Sequence, residues 1–219
     1  MLDVEKPVIL TGESGVGKSV LVSNLLTDLK ERKRISGINL NFSAQTKAKE
    51  VQLAIESKLV KKGKSVFGAR TGEKYCIFID DVNMPSLEFY GAQPCIELLR
   101  QLADLGGFYD RSKLFYKEVI DTTLLPVCAP PGGGRNQLSF RFLRQLLPIM
   151  FPTPSSGTAF KIFNSLLAPK CSFSEPIVLT TLAVFEKIST QLLPTPSKFQ
   201  YIYNMRDIGK VIQNINKGK

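Results

Sequence analysis

Between an apolar run, PVILT, and an amphipathic one, VLVSNLLTDL, the chain carries GESGVGKS, Gly12 to Ser19. Every fixed position of G-x-x-x-x-G-K-[ST] is filled, and the flanks predict a strand before it and a helix after it, the context this pattern requires. Gly12, Gly15 and Gly17 let the backbone wrap so that successive N–H groups point inward at an anion, with the positive end of the following helix behind them. In such a loop the lysine, here Lys18, reaches the outer phosphates of a nucleotide, and the hydroxyl of Ser19 ligates Mg²⁺. The candidate binding segment is therefore Gly12, Glu13, Ser14, Gly15, Val16, Gly17, Lys18 and Ser19, with ATP or ADP and Mg²⁺ as the expected occupants.

Apolar runs at 7–11, 38–43, 75–80, 124–129 and 146–151 alternate with helical patterns at about 18–32, 46–60 and 91–105. Strands alternating with helices predict a parallel sheet covered on both faces, and the near-continuous apolar character of VIL, CIFI and LLPVC suits strands buried on both sides. One of them, CIFIDDV, ends in two acids. A carboxylate at the C-terminal edge of a buried strand lies where open α/β sheets bind ligands. Asp80 is the candidate to hold Mg²⁺ through water, and Asp81 the candidate to orient and activate an attacking water. Near FPTPSSG, residues 151–157, the composition turns to Pro, Ser and Gly, and three helical stretches follow, at about 156–168, 175–193 and 204–216. This predicts an α/β subdomain over 1–152 and a small all-helical one over 153–219.

Composition excludes other chemistry. The 219 residues contain no histidine, so there is no Ser-His-Asp triad, Cys-His dyad or histidine metal site. Four cysteines, Cys76, Cys95, Cys128 and Cys171, form no CxxC pair and are expected as buried reduced thiols of an intracellular protein. The N-terminus MLDVEKP is charged and no apolar run approaches the length of a membrane helix, which predicts a soluble chain without a membrane segment. The net charge of +10 is shared equally by the parts before and after residue 150. Its densest runs, Lys30 to Arg34 and Lys58 to Lys64, follow apolar-periodic stretches, where cations suit a helix C-terminus; without interleaved aromatics they do not read as a nucleic-acid groove. Phe89, Tyr90, Phe108 and Tyr109 are expected in the core. GGFYDR reads as a turn in which Gly106 and Gly107 stop a helix. The segment from Pro130 to Gly134 is either a contact loop or a plain connection.

Taken together, GESGVGKS, CIFIDDVNMP, FYGAQPCIELLRQ, GGFYDR, PPGGGRNQLSFRFLRQ and a late NMRD resemble one AAA+ module of a dynein heavy chain, most like the third module of axonemal dyneins. The resemblance implies a five-stranded sheet in the order 5-1-4-3-2, a helical lid and membership of a six-module ring. It implies neighbouring AAA+ modules of the same heavy chain as partners, with microtubules met only through the whole motor and dynein light and intermediate chains as further candidates. It implies a cytoplasmic, cytoskeletal setting in a cilium or flagellum axoneme. Position by position, Lys18, Ser19 and Asp80 match the phosphate-loop and Mg²⁺-linked residues. Asp81 stands where most AAA+ proteins have a catalytic glutamate. Arg206 matches the second-sensor arginine of the lid, and Arg141 and Arg144 both lie in the arginine-finger region that acts in trans. Ala129 stands at the first-sensor position, where many relatives have asparagine, and it has no polar side chain.

The leading expectation is a nucleotide-binding module that contributes to or regulates ATP-driven motility on microtubules, with slow or absent hydrolysis by the isolated chain. Two alternatives stand beside it: a structural ring element that holds nucleotide without turnover, and an independent AAA+ remodelling ATPase. Only eleven residues precede Gly12, which reads as a fragment or short product of a larger motor.

Overall fold

The computed structural model describes residues 6–198 and 201–217. The charged first residues of the N-terminal reading, 1–5, lie outside them. The elements in order are β1 (Val8–Gly12), α1 (Lys18–Lys33), β2 (Ile35–Asn41), α2 (Ala48–Glu56), β3 (Val60–Lys61), β4 (Val66–Gly68), β5 (Lys74–Asp80), α3 (Pro94–Leu105), β6 (Gly107–Tyr109), β7 (Tyr116–Ile120), β8 (Thr122–Cys128), α4 (Phe140–Leu143) and β9 (Leu147–Phe151). Three helices follow: α5 (Ser156–Leu167), α6 (Ser174–Gln191) and α7 (Met205–Lys217). The described residues divide into two compact units, one of 6–13 with Gly17–Phe151, the other of 14–16 with 152–198 and 201–217.

In the first unit the main sheet is parallel throughout, in the order β2-β5-β8-β1-β9, which is the expected 5-1-4-3-2 read from the other edge. Side chains alternate across it with period two. Val8, Leu10, Cys76, Phe78, Leu125 and Val127 join Val22 and Leu26 of α1 on one face, while Ile9, Ile77, Ile79 and Leu124 join Val51 and Ile55 of α2 and Ile96 and Leu99 of α3 on the other. Burial on both faces is why these strands read as unbroken apolar runs. Pro126 has no N–H to donate, and pairing of β8 with β1 runs from Val127 to Cys128, just past it. The sheet ends on β9, an edge strand that leaves Leu147, Ile149 and Met150 exposed.

A second sheet, β3-β4-β7-β6, was not expected from the sequence. Its strands have two to five residues, too few for periodicity to show. Three expectations are corrected. The second helix ends at Glu56 rather than near 60, and Lys61 lies in β3, so the run Lys58 to Lys64 is no helix terminus; Lys62 pairs with Asp121 at 2.5 Å. Gly106 does stop α3 at φ 70°, but Gly107 to Tyr109 continue as a strand rather than a turn. Of the four aromatics expected inside, only Phe108 is buried; Phe89 and Tyr90 are 94% and 93% exposed and Tyr109 is exposed, because 89 and 90 lie in the loop before α3 and Tyr109 ends its strand. The basic run at Lys30 to Arg34 does close α1 as expected.

The second unit packs α5, α6 and α7 around Ala159, Phe163, Leu167, Val178, Ile208 and Ile212. The hydroxyl of Ser155 caps α5 by accepting from the N–H of Thr158 at 3.3 Å. All four cysteines are free thiols; Cys76, Cys95 and Cys128 are buried, and Cys171 only half-buried, on the turn between α5 and α6. Among the described residues no helix is long and apolar enough to cross a membrane.

Candidate functional site

The loop after β1 is shaped by two different demands for glycine. A Cβ at Gly12 would meet the carbonyl oxygen of Phe151 on β9 at 2.3 Å, so the neighbouring strand excludes any side chain there. Gly15 and Gly17 instead adopt φ of 89° and 94°, the left-handed region that glycine enters freely. Gly17 is the N-cap of α1, and no side chain caps this helix and no acid lies in its first turn. The first-turn N–H groups thus have no side-chain acceptor of their own. Lys18 is buried, and its Nζ donates to the carbonyls of Gly12 at 2.8 Å and Glu13 at 2.7 Å. Burial pushes the lysine below its ordinary value, opposed by Cys128, Asp81 and Asp80; Arg135 pushes it further down. Ser19 is half-buried at the second position of the helix.

The paired acids lie at the carboxyl end of β5. Asp80 is its last residue, in register with Asn41 of β2, and its Oδ1 accepts the N–H of Asp81 at 3.1 Å. Asp81 takes φ 50°, a left-handed conformation that aspartate tolerates better than most residues. The turn sends the chain back so that Val82 N–H donates to the carbonyl of Val127 at 3.0 Å. Both acids act electrostatically on Lys18, so the structure brings Lys18, Asp80 and Asp81 into one neighbourhood.

Two asparagines tie this turn to the segment after β8. Asn83 is 2% exposed and its Nδ2 donates to the carbonyl of Ala129 at 2.8 Å, while its Oδ1 has no hydrogen-bond partner. In return, Asn136 donates its N–H to the carbonyl of Asn83 at 2.9 Å and its Nδ2 to the carbonyl of Pro85 at 2.6 Å. Ala129 is buried, and its carbonyl, not its side chain, is the polar group it offers. Behind these residues lies a cavity of ≈ 270 Å³ lined by Thr11, Asn83, Cys128, Pro131, Asn136 and Leu138 among others. Arg135, one residue before Asn136, places its Nε 3.7 Å from Asp81 Oδ1. Reading residue types and spacing missed this arginine; the only signal was its place at the end of PPGGGR.

Arg141 and Arg144 lie on and just after α4, both exposed. Arg144 approaches Asp104 of α3 at 3.9 Å, and among the described residues Arg141 makes no ion pair. Arg206 is the second residue of α7 in the second unit, exposed, its N–H donating to Asn204 Oδ1 at 2.8 Å.

An anion suits this cradle. A buried ammonium, a helix N-terminus with no side-chain cap and no acid in its first turn, and two left-handed glycines converge on one loop, and the charges of Asp80 and Asp81 act on that ammonium. A parallel sheet carrying such a loop at β1 and paired acids at the end of the adjacent-but-one strand defines the P-loop nucleotide-binding class, here followed by a helical lid. A family profile for the P-loop containing dynein motor region matches residues 1–154, and one for the AAA+ lid domain matches residues 177–217. The chain belongs to the P-loop dynein motor region family. It is similar to human dynein axonemal heavy chain 6, at 45% identity over 223 residues, covering 98% of this chain and 5% of that protein. It is also similar to mouse dynein axonemal heavy chain 12, at 42% over 218 residues (95% and 7%). A third relative is the dynein-1-beta heavy chain of the flagellar inner arm I1 complex from Chlamydomonas reinhardtii, at 38% over 223 residues (98% and 5%). The chain thus spans only 5% to 7% of the length of these relatives.

Proposed function

We propose that this chain is a nucleotide-binding AAA+ module of a dynein heavy chain, taking ATP or ADP with Mg²⁺ and contributing to, or regulating, ATP-driven movement along microtubules in a cilium or flagellum. The observation that carries it is Lys18: a buried ammonium held by the carbonyls of its own loop, at the mouth of a helix with no side-chain cap. In this reading Gly12 to Ser19 cradle the phosphates through backbone N–H groups, and Lys18 adds the one full positive charge of the cradle. Ser19 and Asp80 hold Mg²⁺, Asp80 through water, and bound Mg²⁺ would neutralise charge developing on the phosphate oxygens. Asp81 orients the attacking water, one methylene short of the usual glutamate. Arg206 contacts the terminal phosphate from the lid, and Arg141 or Arg144 serves the nucleotide of a neighbouring module. The partners are the other AAA+ modules of the same heavy chain, with light and intermediate chains further out.

The experiment is calorimetry of MgATP and MgADP on the 219-residue chain. Lys18→Ala abolishes binding of both, because charge-assisted contacts are the strong ones in a cradle otherwise made of dipoles. Undiminished binding by this variant would sink the reading. One observation favours a second reading, a ring element that binds without turnover: Ala129 offers no side chain to polarise water, and Asp81 faces a guanidinium. Binding with no phosphate release from the module in an intact heavy chain would select it.

A further inference from the structure

None of the roles above uses Arg135. Its backbone closes a tight turn with Gly132, each N–H donating to the other's carbonyl at 3.0 and 3.1 Å. The side chain is half-buried, 24% exposed, but its Nε is buried and has no hydrogen-bond partner; its approach to Asp81 Oδ1, at 3.7 Å, is an ion pair too long for a hydrogen bond. A guanidinium carries five directed donors and matches phosphate in a fork, so a donor left unused in a buried place is a strong unmet demand. The charge of Arg135 is felt at Lys18, which places it in the field of the phosphate cradle as well as beside the acid.

We propose that Arg135 reads the terminal phosphate of a bound triphosphate, in place of the polar side chain missing at Ala129, and that Asp81 and that phosphate compete for its guanidinium. The inference rests on the nucleotide reading of the loop. Its anchor is firm on one side and yielding on the other. Asn136, next in the chain, is bonded to the carbonyls of Asn83 and Pro85, whereas Gly132, Gly133 and Gly134, at φ 125°, 57° and 84°, have open space around them. A small rotation of the turn redirects the fork without disturbing the sheet. While it faces Asp81, Arg135 holds the carboxylate that is expected to orient water; turning to a phosphate releases that carboxylate. Presence of the third phosphate is thereby coupled to readiness of the acid. A diphosphate, lacking the competing anion, leaves the pair intact.

The test measures binding of ADP and of the slowly hydrolysed ATPγS, with Mg²⁺, to the 219-residue chain by calorimetry. Arg135→Gln is expected to weaken ATPγS about tenfold, the loss of a charge-assisted contact, and to change ADP less than about threefold. Arg135→Lys regains part of the loss, since it keeps the charge without the fork. Asp81→Asn frees the arginine, so it raises the preference for ATPγS over ADP about threefold, and this gain disappears in the double variant Asp81→Asn with Arg135→Gln. Equal weakening of both nucleotides by Arg135→Gln, or the same gain from Asp81→Asn with and without Arg135, overturns the proposal and leaves the nucleotide reading standing. Should Arg135→Gln not fold, Asp81→Asn decides alone, and no change in its preference overturns it. Wild type binding neither nucleotide removes the nucleotide reading and this inference together.

Discussion

Asp81 and Asp110 are both acids at chain turns, yet their surroundings assign them different work. Asp81 is left half-exposed, with one long ion pair to Arg135 and a left-handed φ of 50°. Asp110 is fully engaged. Its Oδ1 accepts the N–H groups of Lys113 at 2.6 Å and Ser112 at 2.8 Å, and its Oδ2 pairs with Lys117 at 2.6 Å. The backbone N–H of Lys113 foremost, with Lys117 and Ser112, draws its carboxyl down to about 2. A depressed folded value means the contribution is present above the ordinary carboxylate range and is lost as pH falls toward about 2. Asp110→Asn therefore lowers the urea midpoint at neutral pH, and the gap to wild type closes as pH is taken from about 4 toward about 2. A gap that stays constant over that window would show that the charge of Asp110 contributes nothing.

At the level of elements, β9 and α1 test the same loop from two sides. Gly12 is required because β9 passes too close for a Cβ, and Gly17 because the helix starts from a left-handed residue with open space around it. Gly12→Ala must push backbone against backbone and is expected to cost about 1–3 kcal/mol, at the upper end because neither side is flexible. Gly17→Ala meets no atom and costs only its backbone conformation, about 1–2 kcal/mol. Denaturant midpoints with unchanged m-values check the order, and a Gly12→Ala variant as stable as wild type would mean that β9 does not pack as described. The short second sheet belongs at this scale too. Lys117 of β7 pairs with Glu56 at 3.0 Å, and Gln52 of α2 donates to the carbonyl of Tyr109 at 2.8 Å, so α2 is tied to this sheet by polar contacts that no hydrophobic pattern foretells.

For the whole molecule, the family sets the expectation that an arginine from a neighbouring module completes the site. An arginine supplied in trans is worth roughly three to five orders of magnitude in rate. The 219-residue chain is therefore expected to release phosphate very slowly or not at all, and the same module in an intact heavy chain with its other sites silenced to recover turnover in part. Recovery stays partial because Ala129 and the shorter Asp81 travel with the module. Comparable rates in both settings would mean that the site is complete in cis. Substituting Arg141 and Arg144 singly in the heavy chain tests the proposal that one of them acts in trans: that substitution is expected to slow a neighbouring site, and no slowing by either would remove the proposal.

What could be read without the structure was local or periodic. GESGVGKS specifies its own turn because glycine conformations, the lysine and the helix start lie within eight consecutive residues, and the five main strands declare themselves because burial on both faces makes them apolar throughout. Even the strand order followed from the resemblance of quoted motifs. The tertiary structure alone decided which distant groups meet. Arg135 comes to Asp81, and Asn83 to the carbonyl of Ala129, because parallel register aligns the ends of β5 and β8, a relation between segments some forty-six residues apart that no spacing encodes. It also decided that Phe89 and Tyr90 face solvent and that Gly12 is dictated by β9, since exposure and close approach are properties of neighbours in space.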